Sequence, residues 1–196
     1  MSKAANTRLT ILQKAFELIY TKGYQTTSID EIIATTKVTK GAFYYHFKTK
    51  DDMGIAIIEE ILKPTMLNDF IKPTENSQNP IDDFYNMISY LLLEDPFLDV
   101  KYGCPVGNLT QEMAPWNTKF SEALAELVKQ WKETIVNAIE KGQEKGLIRK
   151  DVVAEQVALF ILSGYWGIRN FGKLQNDKTA YGVYLQEFKR YLNDLK

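Results

Sequence analysis

A chain of 196 residues, 45% hydrophobic and 25% charged, is long enough to bury a substantial core and has the balance of an ordinary globular protein. No stretch approaches the ~20 apolar residues that span a bilayer, the opening MSKAANTRLTILQK lacks the apolar core of a secretory signal, and the single cysteine excludes an internal disulfide, so a cytoplasmic protein without a membrane partner is expected. The net charge of −1 conceals an asymmetry: residues 1–50 carry eight bases and three acids, a net of +5, and the remainder nets −6, so that only the head is suited to a polyanion.

The periodicity is helical along nearly the whole chain. Leu9, Leu12, Phe16 and Ile19 form one apolar stripe on a first helix over about 7–22, and Gly23 stands where a C-terminal cap is expected. Ser28 and Glu31 make a capping box that opens a short second helix with Ile29, Ile32 and Ile33 facing inward. Lys37-Val38 makes a tight turn, Thr39 caps a third helix over KGAFYYHF, and Thr49 caps a fourth, about Lys50–Leu62, with Asp51 and Asp52 in its first turn. The run IKPTENSQNP reads as a loop. Further helices are expected at about 81–93, from Cys104-Pro105 onward, at 118–145 up to Gly146, at 152–174 and at 179–195. No strand alternation or repeat interrupts this pattern, which gives an all-α fold of about nine helices, with a head over 1–50 and a helical body over 51–196.

The informative segment is TSIDEIIATTKVTKGAFYYHFKTK, residues 27–50. Two short helices joined by a tight turn form a helix-turn-helix whose second member can enter a major groove. Thr39, Lys40 and Gly41 stand at the end of that helix which would approach DNA, and Gly41 lets a base or sugar edge come near the backbone. Tyr44 and Tyr45 offer hydroxyls to phosphates and flat surface to thymine methyls, His46 and Lys50 reach toward the DNA backbone, and Thr27 or Ser28 can donate to a phosphate at the start of the second helix. Phe43 and Phe47 share a stripe with Ile32 and Val38 and are read as core.

The segment VTKGAFYYHFKTKDDM, with TTSIDEIIATTKV before it and YTKGY ending the first helix, closely resembles the DNA-binding domain of the TetR family of bacterial regulators over about residues 7–55. By position, Thr39, Lys40, Gly41, Tyr44, Tyr45, His46 and Lys50 match the family's DNA-contacting positions, and Thr27 a phosphate contact. The resemblance implies a homodimer on a palindromic double-stranded operator, mostly in the service of repression, with a variable body that dimerises and takes a small-molecule inducer. It also implies that the last two helices pair with their copies, Gly164 and Gly167 permitting close approach and Leu159, Ile161 and Leu162 adding apolar area.

Within the body, Tyr85, Trp131, Tyr165 and Trp166 are candidate walls of a ligand cavity, with Asn108, Gln111 and Arg169 as polar anchors. Cys104, expected at a helix N-terminus in the phrase GCPVGNL, gives an alternative in which the regulator senses electrophiles or oxidants; a DNA-binding regulator without any small-molecule ligand is another. An enzyme is not expected: one His and one Cys do not make the usual zinc site, neither a Walker loop nor a dinucleotide glycine motif is present, and no cofactor is implied.

Overall fold

A computed structural model describes residues 3–196. Among the described residues the chain is helical, without a strand. The nine helices are α1 (Lys3–Lys22), α2 (Ile29–Thr36), α3 (Lys40–His46), α4 (50–75), α5 (Pro80–Leu93), α6 (Pro105–Met113), α7 (Thr118–Glu144), α8 (Ala154–Gln175) and α9 (Thr179–Asn193). They divide into two compact units, one of Met1–Pro64 with Pro105–Ala125 and one of Thr65–Cys104 with Glu126–Lys196.

In the first unit, local chemistry sets each boundary. Gly23, at φ +101°, ends α1 in a conformation that costs glycine nothing. The Ser28 hydroxyl accepts from Glu31 N–H at 3.1 Å while the Glu31 carboxylate accepts from Ser28 N–H at 3.3 Å, so both halves of the capping box are made. Lys37 turns the chain in the left-handed region, Thr39 caps α3 by accepting from Ala42 N–H, and Thr49 with Asp52 forms a second capping box for α4. Helix α1 packs on α2, α3 and α4. Its inward face is Ile11, Leu12, Ala15 and Ile19; Leu9 is 36% exposed, which corrects the expected stripe by about one residue. The spacing of 11, 15 and 19 satisfies the same helical period, and the choice between the two faces is made by the partners Ile32, Phe43 and Phe47, all buried.

Helix α4 runs on past the expected end at Leu62. Two five-residue π segments, Ile58–Leu62 and Leu67–Ile71, are embedded in it, and the last turn, Lys72–Glu75, is α-helical, so the loop read from IKPTENSQNP is reduced to 76–79. Proline inside an α-helix lacks an N–H and drives its ring against the carbonyl four residues back. Here those carbonyls belong to Glu60 and Asp69, each within a π segment whose wider turn relieves the clash before Pro64 and Pro73. The helix survives two prolines because it is locally unwound ahead of each.

In the second unit, Phe84, Ile88 and Leu91 of α5, Trp131, Ile135 and Ile139 of α7, Ile161 and Tyr165 of α8, and Tyr181 and Phe188 of α9 form the core. Helix α9 packs on α5 and α8. Gly164 and Gly172 seat the rings of Tyr184 and Tyr181, and Ile161 and Leu162 are buried within their own chain, so α8 spends part of its small and apolar residues internally. Its outward apolar residues are instead Leu159, Phe160, Phe171 and Leu174, joined by Val183 of α9.

Candidate nucleic-acid interface

Helix α3 is held from below and bare above. Phe43 and Phe47 are buried, with ring centroids 5.8 Å apart, and the Arg8 guanidinium lies 4.7 Å over the Phe47 ring. Those contacts fix the helix about its axis and direct Lys40, Gly41, Tyr44 and Tyr45 outward. Tyr45 is 75% exposed and Tyr44 39%, and the nearest atom to a methyl placed on Gly41 would be the Thr39 hydroxyl at 4.0 Å. Two aromatic rings thus stand side by side in water on the outward face of the helix. Lys40 reaches Asp30 of α2 at 3.3 Å, but both side chains are mostly in solvent, so the pair is weak and readily exchanged for a phosphate. His46 is half-buried, its ring edge-on to Tyr45 at 5.0 Å.

Two of the candidates point elsewhere. Thr27 is 1% exposed and donates its hydroxyl to the Gly23 carbonyl at 2.7 Å, which shapes the α1–α2 turn. The Lys50 ammonium donates to the Tyr24 carbonyl at 2.5 Å and lies 4.4 Å over the Tyr24 ring. Burial pulls its pKa below the ordinary lysine range, against the opposing pull of Asp51 and Glu112. In this geometry Lys50 braces the same turn.

That turn is the centre of a network that sequence reasoning did not find. The Tyr24 hydroxyl donates to Asp51 at 2.6 Å, Asn117 donates to the other Asp51 oxygen at 2.8 Å, and Phe120 packs edge-on against the Tyr24 ring. Burial first, and then the Asp51 carboxylate, push the Tyr24 pKa up, which keeps the hydroxyl a donor. Glu112 of α6 accepts from Gln25 N–H and its carbonyl accepts from the Gln25 amide. Lys22 is paired with Glu31. Together these contacts fix the N-terminus of α2, where Ser28 stands. Tyr24 and Asp51 are 27 positions apart, Asn117 and Asp51 66, and Gln25 and Glu112 87, and no local pattern announces them.

The ligand candidates are dispersed. Trp131 and Tyr165 are fully buried and meet edge to face at 5.6 Å. Trp166 is half-buried. Arg169 is fully buried and donates to the carbonyls of Leu98, Asp99 and Gly103, at 3.3, 3.2 and 2.6 Å, so it ties down the segment before α6. Tyr85 lies in a separate groove with Ile81, Asn86 and Leu192, where Lys189 sits 5.1 Å over its ring. Cys104 is 7% exposed and directly precedes α6. Asn108, half-buried, and Gln111, exposed, belong to the first unit.

Comparison with known proteins gives a consistent picture. Residues 11–57 match the family described as bacterial regulatory proteins, tetR family, and residues 87–188 match the tetracyclin repressor-like C-terminal domain. An HTH-type transcriptional regulator of Lactococcus lactis is 34% identical over 125 residues, and the match spans 62% of each chain. The HTH-type transcriptional repressor DhaR of Mycobacterium sp. (strain GP1) is 26% identical over 89% of this chain and 86% of its own. The fold matches that of a TetR transcriptional regulator from Chloroflexus aurantiacus with a TM-score of 0.87 at 24% identity, over 98% and 97% of the two chains.

Proposed function

Because the chain belongs to the TetR family and is a helix-turn-helix transcriptional regulator rather than an enzyme, we propose that it is a homodimeric repressor which a small molecule releases from a palindromic operator. The observation that carries the reading is the outward face of α3. Lys40, Gly41, Tyr44 and Tyr45 are presented together on a helix whose opposite side is locked into a core. Lys40 supplies charge to phosphate, the tyrosines supply hydroxyls and apolar ring surface, and Gly41 leaves room for a base edge. Ser28 and His46 flank this face; Thr39, Thr27 and Lys50 hold the elements that carry it.

Dimerisation is supported by the exposed apolar side chains of α8 and α9. Phe160, Phe171, Leu174 and Val183 are each at least 47% exposed. Ile168, Phe171, Ala180, Val183 and Tyr184 line a shallow groove in the same region. A second copy related by a two-fold axis buries this surface and sets two α3 helices on half-sites ~34–36 Å apart. The ligand sits in the second unit, with Trp131 and Tyr165 among its contacts. Because operator and ligand act on one equilibrium, each weakens the other by the same factor. No described helix is long and apolar enough to cross a membrane, and the cytoplasm, where the operator lies, is the compartment of action.

The test is a titration of fluorescent duplex DNA, taken from directly upstream of the protein's own gene, at several salt concentrations and against scrambled competitor. Binding that resists competitor and weakens steeply with salt is expected. Binding no tighter than to the scrambled duplex overturns the assignment of that operator.

A further inference from the structure

The second unit holds a buried donor that its own chain leaves unused. Trp131 is fully enclosed, and its indole N–H meets no acceptor. An enclosed donor without an acceptor costs free energy, and a folded chain keeps one where something else supplies the acceptor. Around it stand the rings of Phe70, centred 4.9 Å away at 81°, and Tyr165, at 5.6 Å and 89°; Phe70 and Tyr165 meet each other at 5.6 Å and 86°. Phe70 is thus a flat ring held between Trp131 and Tyr165 by edge contacts, and a ligand ring that took its place would meet the same faces and edges.

The rest of the interior points the same way. Tyr181, also fully buried, has a hydroxyl without a partner. The Arg169 guanidinium, 5.8 Å from the Tyr181 ring, is engaged by backbone carbonyls. Trp131 and Tyr181 therefore offer donors, and the complementary ligand brings acceptors. A carboxylate would have to shed its hydration to meet an indole N–H, whereas a neutral carbonyl loses much less. Phe70, which stands in the π segment Leu67–Ile71 where the regular helical hydrogen-bond ladder is already relaxed, is the ring such a molecule would have to displace.

We propose that the ligand of this protein is a flat, uncharged, conjugated molecule bearing a carbonyl-type acceptor, which displaces Phe70 and receives the Trp131 N–H. This names the chemical class for the inducer reading given above and rests on it.

The experiment uses the full-length protein, titrated by calorimetry with acetophenone, with ethylbenzene (the same outline with a methylene in place of the carbonyl) and with benzoate. The parent is expected to bind acetophenone about tenfold more tightly than ethylbenzene, the worth of one buried hydrogen bond, and benzoate more weakly than acetophenone. In Trp131→Phe the preference for acetophenone over ethylbenzene disappears. Equal binding of acetophenone and ethylbenzene by the parent, binding of neither, or tighter binding of benzoate overturns the proposal, and these comparisons decide it even if the variant does not fold. Operator release is followed separately. Acetophenone binding with the stated preference but without release leaves the ligand class standing and removes the inducer reading. Release by other compounds, with no carbonyl preference in the parent, does the reverse.

Discussion

Gln25 and Glu112 hold each other twice: the Glu112 carboxylate accepts the Gln25 backbone N–H at 3.1 Å, and the Glu112 carbonyl accepts the Gln25 side-chain amide at 3.0 Å. The pair joins the end of α6 to the turn that launches α2. Glu112→Ala removes one of the two bonds at a half-exposed position and is expected to lower stability by about 0.5–1 kcal/mol. Urea unfolding with an unchanged slope measures this. A loss above about 3 kcal/mol would mean that Glu112 carries more of the unit than this contact.

The outward face of α3 predicts two kinds of defect. Lys40→Ala weakens binding to all DNA alike and flattens the dependence of log K on log salt by about one unit, the signature of a lost phosphate contact. Tyr44→Ala weakens operator binding with less change in slope. Both variants keep the parent's melting temperature within a few degrees, since neither side chain is buried. Parental operator affinity in both removes this face from the interface.

Two glycines of the first unit behave oppositely. A methyl on Gly54 would lie 2.5 Å from the Phe120 ring and 2.8 Å from Tyr24, so Gly54→Ala overpacks the core and costs about 1–3 kcal/mol. A methyl on Gly41 would come no nearer than 4.0 Å to another group, the Thr39 hydroxyl, so Gly41→Ala stabilises the fold by about 0.5–1 kcal/mol while lowering operator affinity. Thermal unfolding and the duplex titration separate the two effects.

Much of this architecture is legible in the chain, and the boundary of what is legible has a physical form. Ser28, Thr39 and Thr49 cap their helices because a cap depends only on residues three positions apart, all visible in sequence. The continuation of α4 is not legible, because Lys-Pro-Thr reads as a breaker unless the preceding turn is known to be widened. The site divides in the same way. The exposed face of α3 follows from its phenylalanine stripe, but the brace formed by Tyr24, Asp51 and Asn117 joins residues far apart, and nothing near Arg169 in sequence foretells that it is fully buried.

Burial pushes the pKa of Tyr184 up to about 12, and its hydroxyl meets no partner. An unfolded tyrosine ionises near 10. The contribution of this group is therefore complete below pH 10 and is lost as pH rises from 10 toward 12. Tyr184→Phe is expected to unfold at a higher alkaline pH than the parent and to be neutral or slightly stabilising at pH 7, since it removes an unmet donor. Circular dichroism followed from pH 8 to 12.5 reads the midpoint; an unchanged midpoint counts against the assignment.

The apolar surface of α8 and α9 predicts the oligomeric state. Phe171→Glu places a charge on a side chain 59% exposed in the single chain, where it costs the fold little. Sedimentation is expected to give a dimer for the parent and a monomer for the variant, with operator affinity falling by more than about a hundredfold as the second half-site contact is lost. A dimeric variant would place the interface elsewhere.

The π segments of α4 carry one further consequence. Each holds a residue more than an α turn of the same span, so each is a site where the chain can gain or lose a single residue without rotating the helix on either side.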